Sequence, residues 1–138
     1  MLFPKKVKHR KWQRLRGKFR GRATSGTSLA FGSSGLQSVG RPTLITAEQI
    51  EAARRVMTRY TRKGGKLWIR IFPDRPITKR PPEVTMGGGK GDLAGYAALV
   101  KPGQMLFELE GIPIDAAHKA LYVAGTKLPI KIKIVDRA

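Results

Sequence analysis

The stretch "LITAEQIEAARRVMTRYTRKGGKLWIRIF", residues 44–72, sets a helix and a strand side by side, and the fold reading grows outward from it. Thr46 stands where an N-cap belongs, and Gln49 three residues later completes a capping box. Ile45 and Ile50 flank that cap as a hydrophobic staple. Ile50, Ala53, Met57 and Tyr60 recur at helical spacing, which predicts one buried stripe. Gly64 and Gly65 end the helix, with Arg62 and Lys63 beside its electronegative C-terminus. "KLWIRIF" then alternates with period two, Leu67, Ile69 and Ile71 to one side and Trp68, Arg70 and Phe72 to the other.

Further along, "GYAALVKPGQMLFELEG" (95–111) reads as two strands joined at Pro102-Gly103, residues suited to the centre of a type II turn. Met105, Phe107 and Leu109 are expected to face inward, with Glu108 and Glu110 outward as ordinary exposed charges. "IPIDAAHKALYVAGTKL" (112–128) predicts a second helix, with Pro113 near its start and Asp115 in its first turn. "PIKIKIV" (129–135) closes as a strand, isoleucines inward and lysines outward. Two helices among several strands without βαβ alternation predict an α+β sandwich, helices packed on mixed or antiparallel strands.

Upstream of residue 44 the character changes. Lys5, Lys6, Lys8, Arg10, Lys11, Arg14, Arg16, Lys18, Arg20 and Arg22 crowd the start, interleaved with Phe3, Trp12 and Phe19, and the first acid is Glu48. Such a density of like charge does not collapse alone, so residues 1–28 are expected to form an extended basic arm. "RATSGTSLAFGSSGLQSVGRP" (22–42) is Gly/Ser-rich, with Leu29, Phe31, Leu36 and Val39 suggesting short strands. Residues 29–138 are then the folded domain, carrying a long functional loop at 73–92.

The 138 residues hold 28 Lys+Arg against 9 Asp+Glu, a net charge of +19, and no cysteine. A compact domain with that surplus repels itself unless a polyanion answers it, so nucleic acid is the expected partner. The absence of cysteine excludes disulfides, zinc thiolates and cysteine nucleophiles. No apolar run approaches a membrane span, and "MLFPKKVKHRKW" has no signal-peptide core. A mitochondrial transit peptide is disfavoured by several glycines and little amphipathic periodicity.

Catalytic readings fail one by one. In "PPEVTMGGGKGDLAGYAAL" (81–99) a P-loop would need glycine at Val84 and a hydroxyl at Gly91. "GKGDLA" spells the dinucleotide fingerprint, but a strand follows where a helix is required. His9 and His118 are too far apart to begin a metal site. No cofactor, metal or catalytic residue is expected. Instead Arg54, Arg55, Arg59, Arg62 and Lys63 on the first helix extend the arm's phosphate-binding surface. Glu48 and Glu51 are expected in that helix's first turn. Lys79, Arg80, Met86, Gly87, Gly88, Gly89, Lys90 and Gly91 form a loop whose glycines let backbone approach a crowded polyanion.

"FPKKVKHRK", "ITAEQIEAARRVMTR", "GGKLWIRIFPDRPITKRPPEV", "MGGGKGDLAGYAALVKPGQMLFELEG" and "KLPIKIKIV", in that order, closely resemble the bacterial-type family of large-subunit ribosomal protein sixteen. The resemblance implies an α/β-hammerhead type of fold, binding to large-subunit ribosomal RNA and contact with A-site tRNA, the P-site tRNA being a second candidate. It also implies neighbouring large-subunit proteins as partners, a role in late subunit assembly, and residence in a cytoplasmic ribosome, the organellar one being left open. Membrane partners are not implied. Two departures stand out: Gly88 replaces a lysine of the family's M-G-K-G-K-G, and Thr85 an arginine that some members hydroxylate. The competing reading from charge alone is a DNA-binding architectural protein.

Overall fold

The computed structural model describes residues 1–12, 20–79 and 89–137. Seven strands and two helices follow in the order β1 (Ser34–Ser38), β2 (Thr43–Thr46), α1 (Ala47–Thr61), β3 (Lys66–Ile69), β4 (Arg75–Lys79), β5 (Asp92–Val100), β6 (Met105–Glu110), α2 (Ile114–Gly125) and β7 (Ile132–Asp136). The strands form two sheets, ordered β3-β6-β1-β7 and β2-β5-β4. Every strand pairing among the described residues is antiparallel. The fold is α+β.

The capping box forms as its sequence demands. Thr46 sits in extended backbone, its hydroxyl accepts from the Gln49 N–H at 3.3 Å, and the Gln49 side chain accepts from the Thr46 N–H at 2.9 Å. Thr46 is also the last residue of β2, so this short strand passes into the helix without a loop. The stripe expected on α1 is the one buried: Ile50, Ala53 and Met57 lie in the core, and the partly buried Tyr60 packs against it. Leu36 of β1, Ile45 of β2, Val100 of β5, Phe107 and Leu109 of β6, and Ala117, Ala120, Leu121 and Ala124 of α2 complete one core shared by both sheets and both helices. Alanines on the buried face of α2 keep that helix close to its neighbours.

Pro102-Gly103 makes the expected turn. Gly103 has φ +94°, and the Gln104 N–H donates to the Lys101 carbonyl at 3.2 Å. The strands it joins belong to different sheets, so this turn carries the chain from one layer to the other.

The structure corrects the reading in four places. First, Glu108 is fully buried. Its strand is interior to the four-stranded sheet, and residues 30–32 lie over that face with their N–H groups on the carboxylate. Second, alternation in β6 breaks at a bulge: Leu36 faces Phe107 and Gln37 faces Met105, leaving Leu106 as the extra residue. Leu106 joins the core there, while Met105 is buried beside Leu29 and Gly35. Third, residues 75–79, read as loop, are strand β4. Pro76 is tolerated because β4 is an edge strand, where a missing N–H costs no ladder bond. Fourth, only Leu36 of the four apolar residues between 29 and 39 lies within a strand.

Candidate nucleic-acid interface

The outer face of α1 follows directly from its sequence. With the apolar stripe turned inward, Arg55 and Arg59 stand exposed four residues apart on one ridge of α1, and Arg62 and Lys63 stand exposed just past its end. Arg54 does not belong to that ridge. Its guanidinium makes two bonds to Glu51, at 2.9 and 2.5 Å, and Arg55 lies 3.5 Å from the same carboxylate. Glu51 is buried and lies beyond the first turn expected for it, where only Glu48 counts. The hydrogen bond from Arg54 holds the Glu51 carboxyl down to about 2. Arg54 therefore serves the domain's own structure.

The arm does not stand clear of the domain. Leu2 packs against the core, and Lys5, Lys6, Lys8, Arg10 and Lys11 follow exposed and without regular secondary structure. Lys11 donates from Nζ to the Lys90 carbonyl at 3.4 Å, and Lys90 donates from Nζ to the Trp12 carbonyl. The Arg75 guanidinium lies 5.2 Å from the centroid of the Trp12 ring. Two segments nearly eighty residues apart thus grip each other through their ammonium groups. Lys79 adds its charge opposite Asp92, at the far end of the β4–β5 pair.

Two grooves run beside this junction. One is lined by Pro4, Lys6, Val7, Lys8, His9, Trp12 and Asp74, the other by Arg10, Lys11, Asp92 and Leu93. Against Asp74 and Asp92 stand Lys6, Lys8, Arg10, Lys11, Arg75, Lys79 and Lys90. Bringing so many like charges onto one face raises the energy of the free protein, which a bound polyanion relieves. Gly89 is exposed with φ +96°, backbone that a side chain would strain, and Gly91 is half-buried. Arg20 and Arg22 are exposed further along the arm.

Arg14, Arg16, Lys18, Arg80, Met86, Gly87 and Gly88 lie outside the described residues, as do Phe19 and Thr85. The sequence reading passed over Arg75, and its signal was weak: one arginine between prolines in a segment taken for loop. It also set aside His118, whose Nε2 lies 2.8 Å from both carboxylate oxygens of Asp136. The Ser34 hydroxyl donates to Asp136 at 2.7 Å, and that bond, with His118, holds the Asp136 carboxyl below its usual range. This pair ties α2 to β7, and the Ser34 hydroxyl beside it donates to Asp136 rather than to His118, so it is not placed as a nucleophile activated by the imidazole. Among the described residues no cluster of three or more His, Asp or Glu could hold a metal ion, and no helix is long and apolar enough to cross a membrane.

An arm of exposed cations, a cationic helix ridge and a glycine-lysine loop meeting the arm are what a protein embedded in structured RNA requires. In agreement, the family model for Ribosomal protein L16p/L10e matches residues 4–135, nearly the whole chain, and the chain belongs to that family.

Proposed function

We propose that the exposed cations of the arm, the α1 ridge and the end of the β4–β5 pair bind large-subunit ribosomal RNA, and that residues 79–91 reach toward A-site tRNA. The family supplies the frame: its members are structural rather than catalytic, so this chain is a constituent of the large ribosomal subunit, associated with ribosomal RNA and other ribosomal proteins. Within that frame Lys5, Lys6, Lys8, Arg10, Lys11, Arg20, Arg22, Arg55, Arg59, Arg62 and Lys63 neutralise phosphates, and Lys79 and Lys90 lead into the tRNA-facing loop. The P-site tRNA is a second candidate for that loop, on the strength of the family resemblance. Support for late subunit assembly, in a cytoplasmic ribosome, follows from the same resemblance.

The observation that carries the proposal is the junction of Lys11 and Trp12 with Lys90. With Lys11 and Trp12 beside Lys90, one RNA surface could engage both segments, which supports the reading. Each phosphate neutralised releases counterion, and log K falls with log salt by ~0.7–0.9 per contact. Changing Lys5, Lys6, Lys8, Arg10 and Lys11 together to glutamine should flatten the slope for ribosomal RNA by about 3.5–4.5 units. An unchanged slope would reduce the arm to a solubility tail. Binding that is as tight and as salt-dependent on duplex DNA as on subunit RNA would favour the architectural reading instead.

A further inference from the structure

We infer that Phe31, Trp68 and Arg70 form a stacking platform for an unpaired RNA base, on the face of the four-stranded sheet turned away from the helices. The inference rests on the RNA-binding reading above and adds a site distinct from the cationic arm and loop.

Phe31 is 52% exposed, a large aromatic ring left in solvent on a small basic domain. It stacks on Trp68 with ring centroids 5.8 Å apart and planes 19° from parallel. The Arg70 guanidinium lies 5.6 Å from the Phe31 centroid. Pairing of Trp68 with Glu108 across the sheet puts the indole on the outer face, since Leu67 and Ile69 take the core side.

The Phe31 backbone and the Arg70 guanidinium are both fastened to Glu108. The Phe31 N–H donates to Glu108 Oε1 at 2.9 Å, and Arg70 donates to Glu108 Oε2 and to the Ser28 carbonyl, both at 2.8 Å. A ring and a planar cation fixed before binding lose little freedom when a ligand arrives.

The chemistry selects the occupant. Base faces stack on aromatic rings and on guanidinium planes whatever the base identity, and only unstacked nucleotides present such a face. The carboxylate at this site, Glu108, is buried and ion-paired with Arg70 at 2.8 Å, so the two charges largely offset each other toward a nearby phosphate. Exposed Lys66, two residues before Trp68 on β3, supplies a cation for the flanking backbone.

The test uses the full chain with a uridine-rich single-stranded RNA of about ten nucleotides and a blunt RNA duplex of equal charge. Ultraviolet cross-linking followed by tryptic mapping should mark the peptides spanning residues 23–54 (the Arg41-Pro42 bond resists trypsin) and 67–70 with the single strand only. F31L should weaken single-strand binding on the order of tenfold while leaving duplex affinity and the salt slope unchanged, and F31Y should bind as the parent does. Circular dichroism checks that both variants fold, and the cross-link map on the unaltered chain decides the matter without them. Cross-links confined to the arm and loop, or an equal loss on both RNAs, would overturn the platform while leaving RNA binding intact. Failure to bind either RNA would overturn both readings together.

Discussion

Replacing Glu108 by alanine should be among the most damaging single changes outside the apolar core. The side chain is fully buried, with Oε1 accepting from the N–H groups of Ala30, Phe31 and Gly32 at 2.9 Å each and Oε2 from Arg70 at 2.8 Å. Removing one member of a buried ion pair costs about 3–5 kcal/mol, because the partner stays desolvated. The three orphaned amides would add more if they stayed buried, but residues 30–32 can open to water, so the costs do not sum. About 3–5 kcal/mol is the expected loss, against a total stability of roughly 5–15 kcal/mol for a domain of this size. Urea unfolding of the parent, E108A, E108Q and E110A gives the comparison. E110A, on the exposed last residue of the same strand, should stay within about 0.5 kcal/mol. E108Q keeps the shape but turns an amide N–H₂ or an uncharged oxygen toward Arg70, so it should fall between. Hydrogen exchange should speed up at the amides of residues 30–32 in E108A. If E108A and E110A unfold alike, or those amides exchange at the parent's rate, the buried latch does not exist.

Further outcomes follow from the same contacts. R54E should destabilise by about 1–3 kcal/mol in urea unfolding, since it replaces the bidentate partner of Glu51 with a like charge, whereas R59E with R62E should leave stability within about 1 kcal/mol and weaken RNA binding. M57A should cost about 2–4 kcal/mol by the same assay, with the RNA salt slope unchanged. G89V should leave the core intact yet cost about 1–2 kcal/mol locally, since its φ of +96° strains a branched side chain, and the loss should appear as faster exchange around Lys90. Acid should unfold the protein early. Glu51 is held at about 2, and at Glu108 the raising effect of burial is outweighed by three backbone N–H groups and Arg70, so its carboxyl too lies below the ordinary value. Folded-state values below the unfolded ones give stability that is complete above about pH 4.5 and drains away as pH falls toward the folded values. Thermal melts from pH 6 to pH 2 should trace that decline, and E108Q should flatten it.

Much of the fold was legible because local rules and tertiary packing agree over residues 44–72. The capping box, the Ile50–Ala53–Met57 stripe and the glycine stop all act within a few residues of one another, and each is present as written. The Pro102-Gly103 turn is equally local. What escaped depends on the sheet around a residue. Nothing in "MLFELE" announces that its strand is interior, that a bulge turns Leu106 inward, or that a Gly-rich segment over seventy residues upstream will lay three amides on Glu108. Period-two alternation assigns faces only when one of them meets water. Strand β4 was hidden for the opposite reason, because proline argues against a strand unless the strand is known to be an edge. At the interface, charge revealed which residues could meet RNA but not which were already engaged, and Arg54 and Arg55 look alike until Glu51 is seen between them.

That distinction bears on how a chain with a net charge of +19 folds at all. Its few acids are spent with economy. Glu51 holds Arg54 on α1, Glu108 fastens residues 30–32 and Arg70 to the sheet, and Asp136 joins β1 and α2 through Ser34 and His118. Glu51 and Glu108 thereby neutralise arginine charge where the domain is built. The arm and, apart from Arg55 beside Glu51, the outer ridge of α1 hold most of the remainder, and Lys11 and Lys90 are brought together against their mutual repulsion. These internal pairings lower the repulsion within the domain, while the surface left over stays strained by its own charge. On the reading proposed above, binding a polyanion relieves that strain, and the affinity should weaken as salt screens the charges.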